Sequence, residues 1–205
     1  MLLLSNNKPI KVIGKAHVAI DIVNWVNHEN LIPITNVTFE DATSAADFDQ
    51  YQYIVGIAGD INLRVAAINW IKDNNLHSPA YIHPMAHVEQ PEMISTGTVI
   101  SPGSVIFGRA TIDNYCYVSP MCLISHGDTI GESVILRPYS SVLGGSHVSK
   151  YTVIETAAII SDGVAISAPC VRILPKAFVS KDITITGTYG GTPARRISQD
   201  PSCTL

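Results

Sequence analysis

Long hydrophobic runs are missing from this chain of 205 residues: the apolar opening Met1 to Leu4 is far too short for a signal peptide or a membrane span. A cytoplasmic protein without a membrane partner is the expectation. Positive charge is scarce too, with 13 Lys and Arg against 17 Asp and Glu and a net charge of −4, which argues against nucleic acid as a partner. Only four cysteines occur, Cys116, Cys122, Cys170 and Cys203, and their spacing is not that of metal ligands. The first three fall on the small-residue site of a repeat and are expected to be core residues, not disulfide or metal partners. Apolar residues make up 46% of the chain, enough to build a core.

What is present is a periodicity. Every sixth residue from Ile94 to Ile166 is Ile, Leu or Val, thirteen positions without a miss, among them Ile100, Ile106, Ile112, Val118 and Ile124. Four residues after each stands a small side chain, from Thr98 and Ser104 to Val164 and Cys170, with Asp128 the single exception. A period of six is neither helical nor a simple alternation. It predicts a three-sided parallel β-solenoid with the aliphatics stacked inward, the small residues at the corners and eighteen residues to a coil. Coils stack at the spacing of neighbouring strands, about 4.8 Å, so residues eighteen apart lie above one another. One column reads Gly108, His126, Gly144, Asp162 and sets an imidazole between two positions without side chains. Near Arg172 the series resumes one residue late, in Ile173 and Val179, which implies a seven-residue edge before the last coil. Gly187 to Arg196 is expected to leave the solenoid as an extended tail.

Residues 1–82 read differently. Apolar runs at Ile10 to Ile13, Leu31 to Ile34 and Tyr53 to Ile57 alternate with helical stretches at Ala16 to His28 and Ile61 to Lys72, and a last strand is expected near Ala80 to Ile82. The order β-α-β-β-α-β predicts a small α/β Rossmann-like domain built on an open parallel sheet, followed by the β-helix domain over residues 83–205. In such a sheet ligands bind beyond the carboxyl ends of the strands. Gly14, Lys15, Ala16, His17, Thr35, Asn36, Gly59, Asp60 and Arg64 are therefore the candidates for substrate contact. The first loop, Gly14-Lys15-Ala16-His17, is too short and too poor in glycine for a dinucleotide fingerprint.

A small nucleotide-binding domain joined through Ile82-His83-Pro84 to hexapeptide repeats resembles the sialic acid O-acetyltransferase and bacillosamine-type sugar N-acetyltransferase family, whose repeats form a left-handed β-helix. The segments that carry the resemblance span nearly the whole chain: AGDINLR (58–64), ISHGDTIG (124–131), LGG (143–145), VSKDI (179–183) and GTPARRI (191–197). It implies an acetyl-CoA-dependent acetyltransferase of bacterial surface-glycan synthesis, with a nucleotide-sugar acceptor bound by the front domain, no metal, and a homotrimer formed by pairing solenoid flanks. It also implies His126 as general base and acetyl-CoA contacts at Gly144 and at the position of Ile135. The column map agrees on the first two. Imidazole titrates near neutral pH, which suits it to take a proton from an attacking amine or hydroxyl. Gly144, with no Cβ, could bring its N–H close to the thioester carbonyl as an oxyanion donor. Thr156, on the same site type, is a candidate for pantetheine contact.

Two residues depart from the family pattern. The carboxylate that directly follows the histidine in many relatives is Gly127 here, and the second histidine about nine residues on is Ile135. Asp128, an acid at a semi-buried corner, needs a partner. Either Ser146 and the backbone N–H groups of the turn supply it, or Asp128 orients His126 as part of the catalytic site. His147, Arg137 and Lys150 read as outward residues. Several functions stay open: N-acetylation of a 4-amino-4,6-dideoxy sugar, O-acetylation of sialic acid or another sugar hydroxyl, and a non-catalytic scaffold. A γ-carbonic-anhydrase-like zinc site needs three histidines where only His126 and His147 stand in the middle of the solenoid.

Overall fold

The computed structural model describes residues 2–3, 8–29 and 32–203, so Met1, Leu4 and Leu31 of the sequence reading lie outside the described residues. The chain divides into two compact units, residues 1–81 and 82–205. In the first, the elements are β1 (Leu2–Leu3), β2 (Ile10–Ile13), α1 (His17–His28), β3 (Ile34–Val37), α2 (Phe39–Ser44), β4 (Gln52–Val55), α3 (Ile61–Asp73) and β5 (Ala80–Ile82). The parallel sheet runs β3-β2-β4 and has three strands. Against expectation, β5 does not extend it: Ala80 and Tyr81 pair antiparallel with β1, a non-local pairing that local pattern cannot reveal. The helix α2 was also not foreseen, although Thr38 carries its start signal by accepting the Asp41 N–H at 2.8 Å.

Burial follows the helical period. α1 buries Ala19, Ile22 and Val26, spaced three and four apart, while α3 buries Ile61, Arg64, Ala67, Ile68 and Ile71. The start of α1 lies tightly on the sheet's carboxyl edge, because a Cβ added at Gly56 would come within 2.8 Å of Ala19. Trp70 anchors the other helix through edge contacts with Tyr53 at 5.1 Å, Phe48 at 5.9 Å and Phe39 at 6.2 Å between ring centres.

The second unit is a three-sided parallel β-solenoid of about six coils, a left-handed β-helix. Its first face stacks His87–Val88, Val105–Ile106, Leu123–Ile124, Ser141–Val142, Ile159–Ile160 and Phe178–Val179. The second stacks Thr111–Ile112, Thr129–Ile130, His147–Val148 and Ala165–Ile166, and the third Val99–Ile100, Tyr117–Val118, Ile135–Leu136, Val153–Ile154 and Arg172–Ile173. Each six-residue step ends in a turn whose second residue has positive φ, from Gly97 through Arg109, Tyr115, Met121 and Tyr139 to Gly163. Bulky residues there are strained by about 1–2 kcal/mol each. The ladders on both sides hold them in place, since residues such as Leu123 are paired to the coils below and above.

The small residue after each turn does more than fit. Ser104 Oγ donates to the Ser119 carbonyl at 2.9 Å, Cys116 Sγ to Gly131 at 3.1 Å, Cys122 Sγ to Arg137 at 3.1 Å and Ser146 Oγ to Ser161 at 2.9 Å. All four reach fifteen residues ahead, so short donors bond corner carbonyls outside the inter-coil ladder, three of which, those of Gly131, Arg137 and Ser161, also accept an N–H within their own turn. The inward aliphatics, including Ile124, Ile130 and Leu136, are wholly buried, at about 1.5–3 kcal/mol each.

The seven-residue edge is observed: Val153 pairs with Arg172 and Ile154 with Ile173, nineteen residues apart instead of eighteen. Two expectations about the carboxyl-terminal segment are corrected. Gly187 to Arg196 does not leave the solenoid. Thr188–Gly190 adds a parallel strand beside Arg172–Ile173, and the chain then turns back as the antiparallel strand Arg195–Ser198. Cys170 is not a free core thiol but is disulfide-bonded to Cys203, because the returning tail brings residue 203 to the corner. There Ser202 N–H donates to Cys170 O at 2.8 Å and Ser202 Oγ to Tyr151 O at 2.7 Å. Cys116 and Cys122 remain reduced and buried.

Candidate active site

His126 stands at the corner between the first and second faces. The register that pairs Leu123 and Ile124 with Val105 and Ile106 below and with Ser141 and Val142 above sets Gly108 beneath it and Gly144 over it. Backbone hydrogen bonds fix the column: Gly127 N–H donates to Gly108 O, Gly145 N–H to His126 O and Gly163 N–H to Gly144 O. The His126 side chain is exposed and its ring leans up the column. A Cβ on Gly144 would lie 2.6 Å from His126 Cε1, 2.9 Å from Nε2 and 3.2 Å from Nδ1, so the imidazole lies against bare backbone. Among the described residues no protein acceptor takes the Gly144 N–H.

Asp128, two residues after His126, is wholly buried at the corner position. Its Oδ2 accepts the Ser125 N–H at 2.8 Å and its Oδ1 the Ser146 N–H at 2.9 Å. The carboxylate thus ties the coil of His126 to the coil of Gly144, and both oxygens are engaged by backbone. Desolvation pushes its pKa up from 3.8 to about 7, against the lowering effect of those two N–H groups.

Below the imidazole opens a cavity of about 360 Å³ bounded by Glu89, Gln90, Phe107, Gly108, Arg109 and His126. Glu89 Oε2 accepts the Gly108 N–H at 2.7 Å and Gln90 Oε1 the Arg109 N–H at 2.5 Å. The sequence reading missed Glu89 and Gln90 because they precede the repeat, yet Gln90 lies eighteen residues before Gly108 in the same column. A second cavity, of about 250 Å³, lies at the carboxyl end of the solenoid and gathers Lys181, Arg195 and Arg196 around Tyr189.

The remaining candidates are dispersed. Thr156 is exposed at a different corner, between the third and first faces, and Ile135 is wholly buried on the third face; neither is brought to His126. His147 is exposed on the second face, in the column of Thr129 and Ala165. In the front unit Lys15, Ala16, His17, Gly59 and Asp60 are exposed along the carboxyl edge of the three-stranded sheet. Asp60 caps α3 by accepting the Leu63 N–H at 3.0 Å. Gly14 is buried there, and an added Cβ would meet Gly56 O at 2.8 Å. Thr35 and Asn36 lie within β3, which runs to Val37, not on the loop beyond it; Asn36 Nδ2 donates across to Gly14 O at 3.4 Å. Arg64 departs furthest from expectation. It is buried, donating from one terminal nitrogen to Val55 O at 3.0 Å and Ile57 O at 2.7 Å, so it holds the end of β4 and has no surface for a ligand.

Among the described residues no three His, Cys, Asp or Glu side chains converge as a metal site, and no helix is long and apolar enough to cross a membrane.

No protein-family model matches the chain, and no curated protein matches it. Solved structures match its fold over nearly the full length. The acetyltransferase domain of PglB from Neisseria gonorrhoeae superposes with a TM-score of 0.82 at 18% identity, covering 93% of this chain and 100% of that one. PerB from Caulobacter crescentus, solved with CoA and GDP-perosamine, gives 0.79 at 18%, covering 97% and 100%. WeeI from Acinetobacter baumannii gives 0.66 at 18%, covering 92% and 99%. The chain therefore has the left-handed β-helix fold of these proteins with their α/β front unit.

Proposed function

We propose that the protein is an acetyl-CoA-dependent sugar acetyltransferase of surface-glycan synthesis, acting in the cytoplasm on a nucleotide-linked 4-amino-4,6-dideoxy sugar. The observation that carries this reading is the exposed imidazole of His126 lying against the bare backbone of Gly144 above a cavity. Two of the matching folds support it, since one is an acetyltransferase domain in complex with acetyl coenzyme A and another is a perosamine N-acetyltransferase.

In this reading His126 takes a proton from the acceptor nitrogen as it attacks the thioester carbonyl, and then returns one to the departing thiolate. The unpaired Gly144 N–H steadies the charge that grows on the carbonyl oxygen. Asp128 acts as a positioning residue, fixing the spacing between the two coils through Ser125 and Ser146. The exposed edge of the front sheet, with Lys15, His17 and Gly59, receives the nucleotide, and the cations Lys181, Arg195 and Arg196 meet the phosphates of CoA. Met121 and Tyr139, 54% and 61% exposed on one corner, fit a solenoid whose flanks pair as a homotrimer.

The test is acetyl transfer, followed by thiol release, from acetyl-CoA to UDP-, dTDP-, GDP- and CMP-linked amino sugars. Wild type is expected to turn over at least one, and His126→Ala to lose roughly 10²–10⁴-fold in kcat, the usual worth of a general base. Neither acetyl-CoA binding nor turnover by wild type would leave the solenoid a scaffold.

A further inference from the structure

We propose that Glu89 selects an amine acceptor over a hydroxyl one by holding the acceptor's ammonium in the cavity below His126; this rests on the acetyl-transfer reading and deepens it. Glu89 follows His87–Val88, the lowest rung of the first face. Its bond from Gly108 and the neighbouring bond from Arg109 N–H to Gln90 draw the carboxylate up the column, toward the coil of His126. A Cβ on Gly108 would meet Glu89 Oε2 at 2.7 Å. The bare position at 108 thus makes room for a carboxylate, as the one at 144 makes room for the imidazole. Glu89 and His126 bound the same cavity. Only Oε2 is engaged, and among the described residues no ion pair ties Glu89 to Arg109 across it.

The carboxylate lies near the level of Gly108 and the imidazole stands one coil higher on the same cavity, about 5 Å away at one strand spacing per coil. A single donor at about 2.8–3.0 Å from each reaches about 4.6–6 Å from one acceptor to the other, the short end when its two N–H bonds diverge tetrahedrally, and so can bridge them. An ammonium has three protons and can serve both groups, with a charge-assisted bond to Glu89. A hydroxyl has one, and once it points at His126 it offers Glu89 only lone pairs. In the reaction the bound ammonium loses one proton to solvent and becomes the nucleophile. Its nitrogen bonds to the thioester carbon while His126 takes a second proton, the C–S bond breaks, and the thiolate accepts that proton from the imidazolium. One proton is released per turnover and Glu89 stays ionised throughout.

Glu89→Gln tests this, because the amide keeps an oxygen for the Gly108 N–H and removes only the charge. Wild type and variant are assayed by thiol release with UDP-, dTDP- and GDP-linked 4-amino-4,6-dideoxyhexoses and with the matching 4-hydroxy sugars. The expected result is an amine preference in wild type and, in Glu89→Gln, a KM for the amine raised about ten- to a hundredfold, the loss of one hydrogen bond to a charged group. The variant's kcat changes by less than about threefold, KM for the hydroxy sugar does not rise, and the melting temperature is unchanged. Turnover of the amine with an unaltered KM in Glu89→Gln overturns the role of Glu89 and leaves the acetyltransferase standing. Wild type that prefers the hydroxy sugar does the same. Wild type that acetylates none of these compounds overturns both.

Discussion

Replacing Gly144 by alanine puts the geometry of the proposed site under direct strain. The new Cβ would stand 2.6 Å from His126 Cε1 and 2.9 Å from Nε2, where carbon atoms settle at about 3.5–4.0 Å. The exposed ring must retreat by about 1 Å, which it can do by turning to another staggered rotamer. A 1 Å displacement of a catalytic group is worth on the order of a hundredfold in rate. Stability should hardly change, because the backbone of Gly144 is not in the left-handed region and an alanine fits it. Gly145 supplies the contrast. Its φ is +71° and nothing lies within 4 Å of an added Cβ, so Gly145→Ala is strained by about 1–2 kcal/mol but leaves His126 untouched. Steady-state kinetics and thermal melts of both variants decide the matter: Gly144→Ala should lose about a hundredfold in kcat/KM at an unchanged melting temperature, and Gly145→Ala should melt lower with nearly full kcat. Equal activity in Gly144→Ala and wild type, or equal losses at the two positions, would refute the placement of the ring.

Three more outcomes can be measured. The folded-state pKa of Asp128 is raised from 3.8 to about 7, so its contribution to stability is fully present below pH 3.8 and is lost as pH rises through 7. The slope approaches 1.4 kcal/mol per pH unit inside that window; denaturant titrations from pH 4 to pH 8 should find it in wild type and not in Asp128→Asn. Cys203→Ser opens a link across 33 residues, worth on the order of 3–4 kcal/mol, and the melting temperature should fall by about 6–15 °C, as it should in wild type on reduction. An unchanged melt would mean that the tail is held by its hydrogen bonds alone. Arg64→Leu leaves the carbonyls of Val55 and Ile57 without their donor, and urea unfolding should report a loss of about 2–4 kcal/mol.

The solenoid was legible because stacking demands the same thing of every coil, an aliphatic inward and a short side chain at the corner, and the chain answers every six residues. The column holding His126 followed from that period alone. What local pattern could not carry is contact between distant segments. The β1–β5 pairing joins residues nearly eighty positions apart, and the Cys170–Cys203 link needs the final hairpin to bring the tail back. Arg64 was misread although its signal was present. It falls with Ile61, Ile68 and Ile71 on the apolar stripe of α3, which marks an inward side chain whatever its charge. Bulky residues at positive φ, such as Tyr115 and Tyr139, carry no mark of their turns, since propensity there is overruled by the ladders on either side.

The hairpin that closes the last coil has a meaning for assembly. A parallel ladder that simply stopped at Arg172–Ile173 would present unpaired amides and carbonyls as a template on which another chain could grow. Here Thr188–Gly190 fills that rung, and the reversed strand Arg195–Ser198 finishes the edge with the exposed guanidinium groups of Arg195 and Arg196. Reversed direction and like charge make a poor seat for a further coil, so the stack ends in a terminus that resists fibre growth.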